Sequence, residues 1–143
     1  MKENLLIVWT NGDMEVANNF PLLYSSVILD RQYWKTAHLM LWGPSILLVK
    51  ETFIQEKLKH ILSTGVKMSA CIVCVEDYGA RAELEKLGIE ITHTGEFLTN
   101  ALKDETFSVL TIEESSSIYF IASIMVFVIF FSSFFDIVYA TIE

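Results

Sequence analysis

Apolar positions follow two rhythms along this chain. Leu5–Trp9 is a continuous apolar run, the pattern of a strand buried on both faces, and Ala37–Trp42 reads as a second strand. Val66–Cys71 reads as a third strand and Phe107–Ile112 as a fifth. Between them, Ile89-Glu90-Ile91-Thr92-His93 alternates and reads as a strand nearer a sheet edge.

The intervening segments carry the helical rhythm. Val16, Ala17, Phe20, Leu23, Tyr24, Val27 and Ile28 predict one apolar stripe on a first helix, with a kink at Pro21. A second helix is expected over Ile46–Leu62, with Leu47, Phe53, Ile54, Leu58, Ile61 and Leu62 inward and Gly65 at its stop. A third spans Asp77–Leu87, and a short fourth after Gly95-Glu96 carries Phe97, Leu98, Ala101 and Leu102. Five strands alternating with four helices predict a three-layer α/β/α fold around a mostly parallel five-stranded sheet. The pattern leaves the strand order open.

The rhythm ends at Ile112. Residues 115–135 carry no charge, Ile118–Phe131 is almost unbroken Ile, Val, Phe, Ala and Met, and Tyr119 and Tyr139 flank the run. About twenty apolar residues match a helix that crosses the hydrocarbon core. The division expected is thus residues 1–112 as the α/β domain and 113–143 as a hydrophobic segment, a transmembrane anchor contacting the membrane through 118–139. A C-terminal helix buried in an oligomer interface is the competing reading, and no Lys or Arg flanks the run to orient it.

Charge narrows the choice of partner. The net charge is −8, and the last stretch holds four acids and no base, leaving 14 acids against 10 bases in the rest. With no basic patch and no aromatics interleaved with Lys or Arg, nucleic acid is not expected as a partner. No leader run opens the chain, and two cysteines do not make a disulfide framework, so the domain is expected in the reducing cytoplasm.

Those cysteines, Cys71 and Cys74, follow the third strand where a helix begins, the place where α/β sheets gather ligands and chemistry. A helix N-terminus favours the thiolate. Dithiol–disulfide exchange, carriage of a sulfane sulfur as a persulfide, and half of a zinc site all fit the spacing. Zinc is the weakest, because His38, His60 and His93 show no ligand spacing, and no metal or cofactor is expected. Two buried apolar thiols without chemistry also fit. Glu76 and Asp77 are expected to favour the first turn of the following helix, and Tyr78 to hydrogen-bond a thiolate or to pack. The Thr10–Asp13 and Trp42–Ser45 turns share the same sheet edge, so Asn11, Gly12, Gly43, Ser45 and Tyr78 are candidates for a small anion or substrate pocket. Each also fits ordinary turn chemistry. Neither turn carries a dinucleotide fingerprint or a P-loop.

Leu5–Asp13, Trp42-Gly43-Pro44-Ser45, Gly65–Gly79 and Leu87-Gly88-Ile89-Glu90 together resemble the DsrE/DsrF-like family of sulfur-relay proteins, over residues 2–112. The most specific piece is a cysteine after the third strand followed by a Tyr-Gly pair, here Tyr78-Gly79. The resemblance implies Cys71 as the sulfur-accepting residue and Cys74 as an auxiliary one. It further implies a trimer or hexamer and sulfur donor and acceptor proteins as partners. Backbone N–H groups near Glu76–Tyr78 would stabilise the thiolate. A non-catalytic oligomeric assembly module and a dithiol oxidoreductase are the alternatives. Pro21 and the tail after Ile112 depart from the family pattern.

Overall fold

The computed structural model describes residues 1–113, which form one compact unit. Five strands, β1 (Asn4–Trp9), β2 (Thr36–Leu41), β3 (Lys67–Cys71), β4 (Glu90–Thr92) and β5 (Phe107–Ile112), alternate with helices. All neighbouring strands are parallel, in the order β4-β3-β2-β1-β5. The α/β class, the parallel sheet and its two helical layers agree with the expectation from the sequence. The short β4 is an edge strand, as its alternation implies.

The helices are shorter and more numerous than expected. The first one divides into α1 (Met14–Asn19) and α2 (Pro21–Val27). Pro21 does not kink a continuous helix. It lacks an N–H and has a fixed φ, so it opens a new helix at its first position, with Phe20 at φ −131° breaking the phase. The expected stripe is therefore corrected: Val16, Phe20 and Leu23 are exposed, while Ala17, Pro21, Leu22 and Ile28 are buried. The second helix likewise splits into α3 (Ser45–Leu48) and α4 (Thr52–Ser63) around an extended Glu51. Leu47 and Phe53 face solvent, and Ile54, Leu58 and Ile61 hold the inner face. The third becomes α5 (Ile72–Tyr78) and α6 (Arg81–Leu87), parted at Gly79, whose φ of 60° suits a residue without Cβ. The last is α7 (Thr94–Lys103), with Ala101 buried and Leu102 exposed.

Sheet order decides which helix lies where. The steps β1 to β2 to β3 to β4 all move toward the same edge, so right-handed crossovers put α1–α6 on one face. The step from β4 to β5 reverses across the whole sheet and puts α7 on the other face. Strand alternation then sorts the side chains. Leu5, Ile7 and Trp9 of β1, Leu39 and Leu41 of β2, and Met68 and Ala70 of β3 join the α1–α6 residues in a large apolar core. Full burial of each Leu or Ile there contributes about 1.5–3 kcal/mol. Leu6, Val8, Met40 and Ala101 form a smaller core beneath α7, flanked by Trp42, Phe97, Leu98, Phe107 and Val109.

No helix among the described residues is long and apolar enough to cross a membrane. The span expected over residues 118–139 lies outside the described residues.

Candidate functional site

Beneath α7 the sheet changes character from one edge to the other. Under β1 and β5 it presents Leu6, Val8, Phe107 and Val109, whereas β2 adds His38 and β3 presents Lys67, Ser69 and Cys71. The register sets Glu90 of β4 beside Ser69, and Thr92 beside Cys71. His38 Nε2 lies 2.8 Å from Ser69 Oγ, and its ring meets Phe97 edge-on with centroids 4.7 Å apart. Burial, helped by the nearby Lys67 ammonium, holds the His38 pKa down at about 4, so the ring is neutral near pH 7.

The connections after β3 and β4 leave to opposite faces, β3 through α5 and β4 through α7. Such a divergence opens a crevice at the carboxyl ends of the strands. Cys71 is the last residue of β3 and the cap residue of α5, and Thr94 is the first residue of α7. The crevice thus brings a thiol and a hydroxyl together. Cys71 is 7% exposed and Thr94 1%, and the Thr94 hydroxyl has no hydrogen-bond partner of ordinary geometry.

Both cysteines are free thiols, and their surroundings push them in opposite directions. Burial alone would raise the Cys71 pKa. The Cys74 N–H, the Cys74 thiol, the Thr94 hydroxyl and the Val73 N–H outweigh it and bring the thiol below its ordinary value. Cys74 is raised, first by burial and then by the Cys71 sulfur and the Asp77 carboxylate. The Gly43 N–H donates to Cys74 Sγ at 3.3 Å and only partly offsets this. Cys71 is thus the more acidic of the two thiols and Cys74 the less acidic.

Of the residues expected beside the pair, only Gly43 reaches it. Asn11 is buried in its own turn, its Oδ1 accepting from the Asp13 N–H at 2.6 Å and its Nδ2 donating to the Glu113 carbonyl. Ser45 Oγ donates to the Trp42 carbonyl and accepts from the Trp42 N–H, so its hydroxyl is spent closing the turn. Gly12 lies against Pro44: a Cβ there would come within 2.9 Å of Pro44 Cβ, so the two turns pack together rather than enclose a ligand. Tyr78 packs against the large core. Glu76 and Asp77 stand in the last turn of α5, not the first, because the helix starts five residues earlier than Asp77. The N–H groups at the Cys71 sulfur are accordingly those of Val73 and Cys74, not those near Glu76–Tyr78. Glu76 instead pairs with Arg81, which also reaches Glu85.

Thr94, Ser69 and His38 were not among the expected site residues. Their signal was a polar residue interrupting an apolar strand, as at His38 and Ser69, and it becomes meaningful only once both strands are known to be neighbours. Among the described residues no group of three or more His, Cys, Asp or Glu side chains is arranged to hold a metal ion.

No family model matches the chain, and no curated protein matches it either. Among solved structures, it is similar to a conserved protein of unknown function, BT1422 from Bacteroides thetaiotaomicron. The two share 30% sequence identity and superpose with a TM-score of 0.72, over 77% of this chain and 95% of that one. At that identity over nearly the whole of the other protein, the chain belongs to the same family as this conserved protein of unknown function.

Proposed function

We propose that the domain is a DsrE-like sulfur carrier in which Cys71 accepts and passes on a sulfane sulfur. The observation that supports it best is the placement of Cys71 in the crevice between the diverging β3 and β4 connections, beside the unpartnered hydroxyl of Thr94. The Cys71 thiolate attacks the outer sulfur of a persulfide donor. The donor's S–S bond breaks, its inner sulfur leaves as a thiolate with the electron pair, and Cys71 holds the persulfide. Cys74, kept protonated, stabilises the charged states of Cys71 by donating to it. Release to an acceptor repeats the exchange with the acceptor thiolate as the nucleophile. Sulfur donor and acceptor proteins, a trimer or hexamer, and a membrane tether through residues 118–139 complete the reading; the uncharged run over residues 115–135 supports the tether.

The closeness of the two thiols favours a second reading, a dithiol oxidoreductase in which they close a reversible disulfide.

Intact-mass analysis of the full-length chain after exposure to a sulfane-sulfur donor tests the first reading. The parent protein gains one sulfur atom, Cys74→Ser gains less, and Cys71→Ser gains none. Equal uptake by Cys71→Ser would remove Cys71 from the mechanism. Loss of two hydrogen atoms at low donor, as the Cys74 thiolate displaces hydrosulfide from the Cys71 persulfide, with both thiols then protected from alkylation, would favour the disulfide instead.

A further inference from the structure

A pocket of about 340 Å³ lies between the β3–β4 edge of the sheet and α7, and two carboxylates line it. Glu90 and Glu96 supply carboxylates, Ser69, Thr92 and Thr94 supply hydroxyls, Asn100 supplies an amide and His93 an imidazole. No Lys or Arg lines it. The nearest cations of the sheet, Lys35 and Lys67, line the adjoining cavity toward the amino ends of the strands, which shares His38, Glu90 and Phe97 with this pocket. His38 borders the pocket as a neutral ring already engaged with Ser69.

Cys71 lies just beyond one end of the pocket and does not itself line it. Cys71 lies two residues beyond Ser69 on the same strand face, and its register partner on β4 is Thr92. Thr94 connects the two directly, since it lines the pocket and is also one of the groups that act on the Cys71 sulfur. Its hydroxyl is buried and has no hydrogen-bond partner of ordinary geometry. The lining offers acceptors and negative charge to whatever enters.

We infer that the small molecule exchanging sulfur with Cys71 binds in this pocket and is a cationic aminothiol, or a disulfide or persulfide derived from one, rather than an anionic thiol. The inference rests on Cys71 being the nucleophile and adds the class of its substrate. The ammonium group is held between Glu90 and Glu96, and the sulfur end points past Thr94 toward Cys71.

Two symmetrical disulfides of opposite charge test it: cystamine, a dication, and dithiodiglycolate, a dianion. With either one, the Cys71 thiolate attacks one sulfur, forms a mixed disulfide and releases the other half as a thiolate. Rates on the full-length Cys74→Ser protein are followed by intact mass. The cystamine-to-dithiodiglycolate ratio is divided by the same ratio for N-acetylcysteamine, an uncharged thiol. The expected preference for cystamine is about tenfold or more. Glu90→Gln with Glu96→Gln brings it down several-fold, whereas Glu51→Gln at the cap of α4 with Glu56→Gln within it leaves it unchanged. A ratio near one, or one equally lowered by both pairs, overturns the pocket assignment while leaving Cys71 as the nucleophile. Failure of both disulfides to modify the folded protein, with prompt modification after denaturation, overturns Cys71 as the nucleophile as well.

Discussion

The two faces of the sheet are built from the same strands and end up with different properties. On the α1–α6 face, alternate residues of the strands meet six helices, and the side chains that touch are almost all aliphatic or aromatic. On the α7 face a single ten-residue helix covers five strands. It seals the part over β1 and β5 with Ala101, Phe97 and Leu98, and leaves His38 of β2, Ser69 and Cys71 of β3 and Thr92 of β4 outside that apolar patch. The two cysteines divide between the faces in the same way. Cys74 packs against the large core, while Cys71 lies with the polar groups. Stability and chemistry are thus separated by one residue of strand alternation.

Leu39 and Met40 offer the sharpest way to break this comparison, because they are adjacent, fully buried and on opposite faces. Leu39→Ala is expected to cost about 4 kcal/mol in denaturant unfolding, near the upper part of the range for core truncations. Met40→Ala should cost about 2 kcal/mol, since fewer layers surround it and the site can relax. Equal costs would show that the faces are equivalent in packing.

Acid should act on the α7 face next. The folded-state pKa of His38 lies at about 4, below that of an exposed histidine, so the unfolded chain binds more protons in between. Its contribution is complete above about pH 6.5 and is lost as the pH falls toward 4, by up to about 3 kcal/mol. His38→Gln removes this part of the slope in a pH series of unfolding midpoints. An unchanged slope would place the acid sensitivity elsewhere.

A smaller effect is expected where the first two turns meet at the carboxyl end of the sheet. Gly12→Ala puts a methyl group against Pro44 Cβ and the Pro44 carbonyl, neither of which can yield cheaply. A loss of about 1–2 kcal/mol is expected, and a neutral result would mean that the two turns are not tightly packed. The smallest effect separates the thiols. Across a pH series of alkylation rates, the Cys71 midpoint should fall below the ordinary thiol value of about 8.5 and the Cys74 midpoint above it. A reversed order would exchange their roles.

The strands were legible because a parallel sheet needs side chains buried on both faces, and five apolar or alternating runs say so directly. Phe107–Ile112 coincides with its run at both ends, and the other four strands fall within a residue or two. Helix boundaries were less legible. A stripe such as Val16–Phe20–Leu23 assumes one unbroken phase, and Pro21 resets that phase by opening a helix of its own. The thiol pair could be placed after β3 from its neighbours in the chain. Thr94 could not, because it reaches Cys71 only through the order of β3 and β4 and through the side from which α7 departs. Asn11 and Ser45 look like ligand contacts by residue type and prove to be turn locks, a distinction that rests on where their hydrogen bonds go.

The sheet order also sets a timetable for synthesis. Among the strands of the described residues β1 is made first and one of its two neighbours last, so Thr10 and Ile112, 102 residues apart, are joined by hydrogen bonds. Until β5 arrives, the nascent chain carries an unpaired edge on β1, and long-range pairing of this kind slows folding. α7 is made just before β5 and closes the face that holds Cys71. A chain stopped short of Phe107 would therefore carry most of the large core with the β1 edge still unpaired.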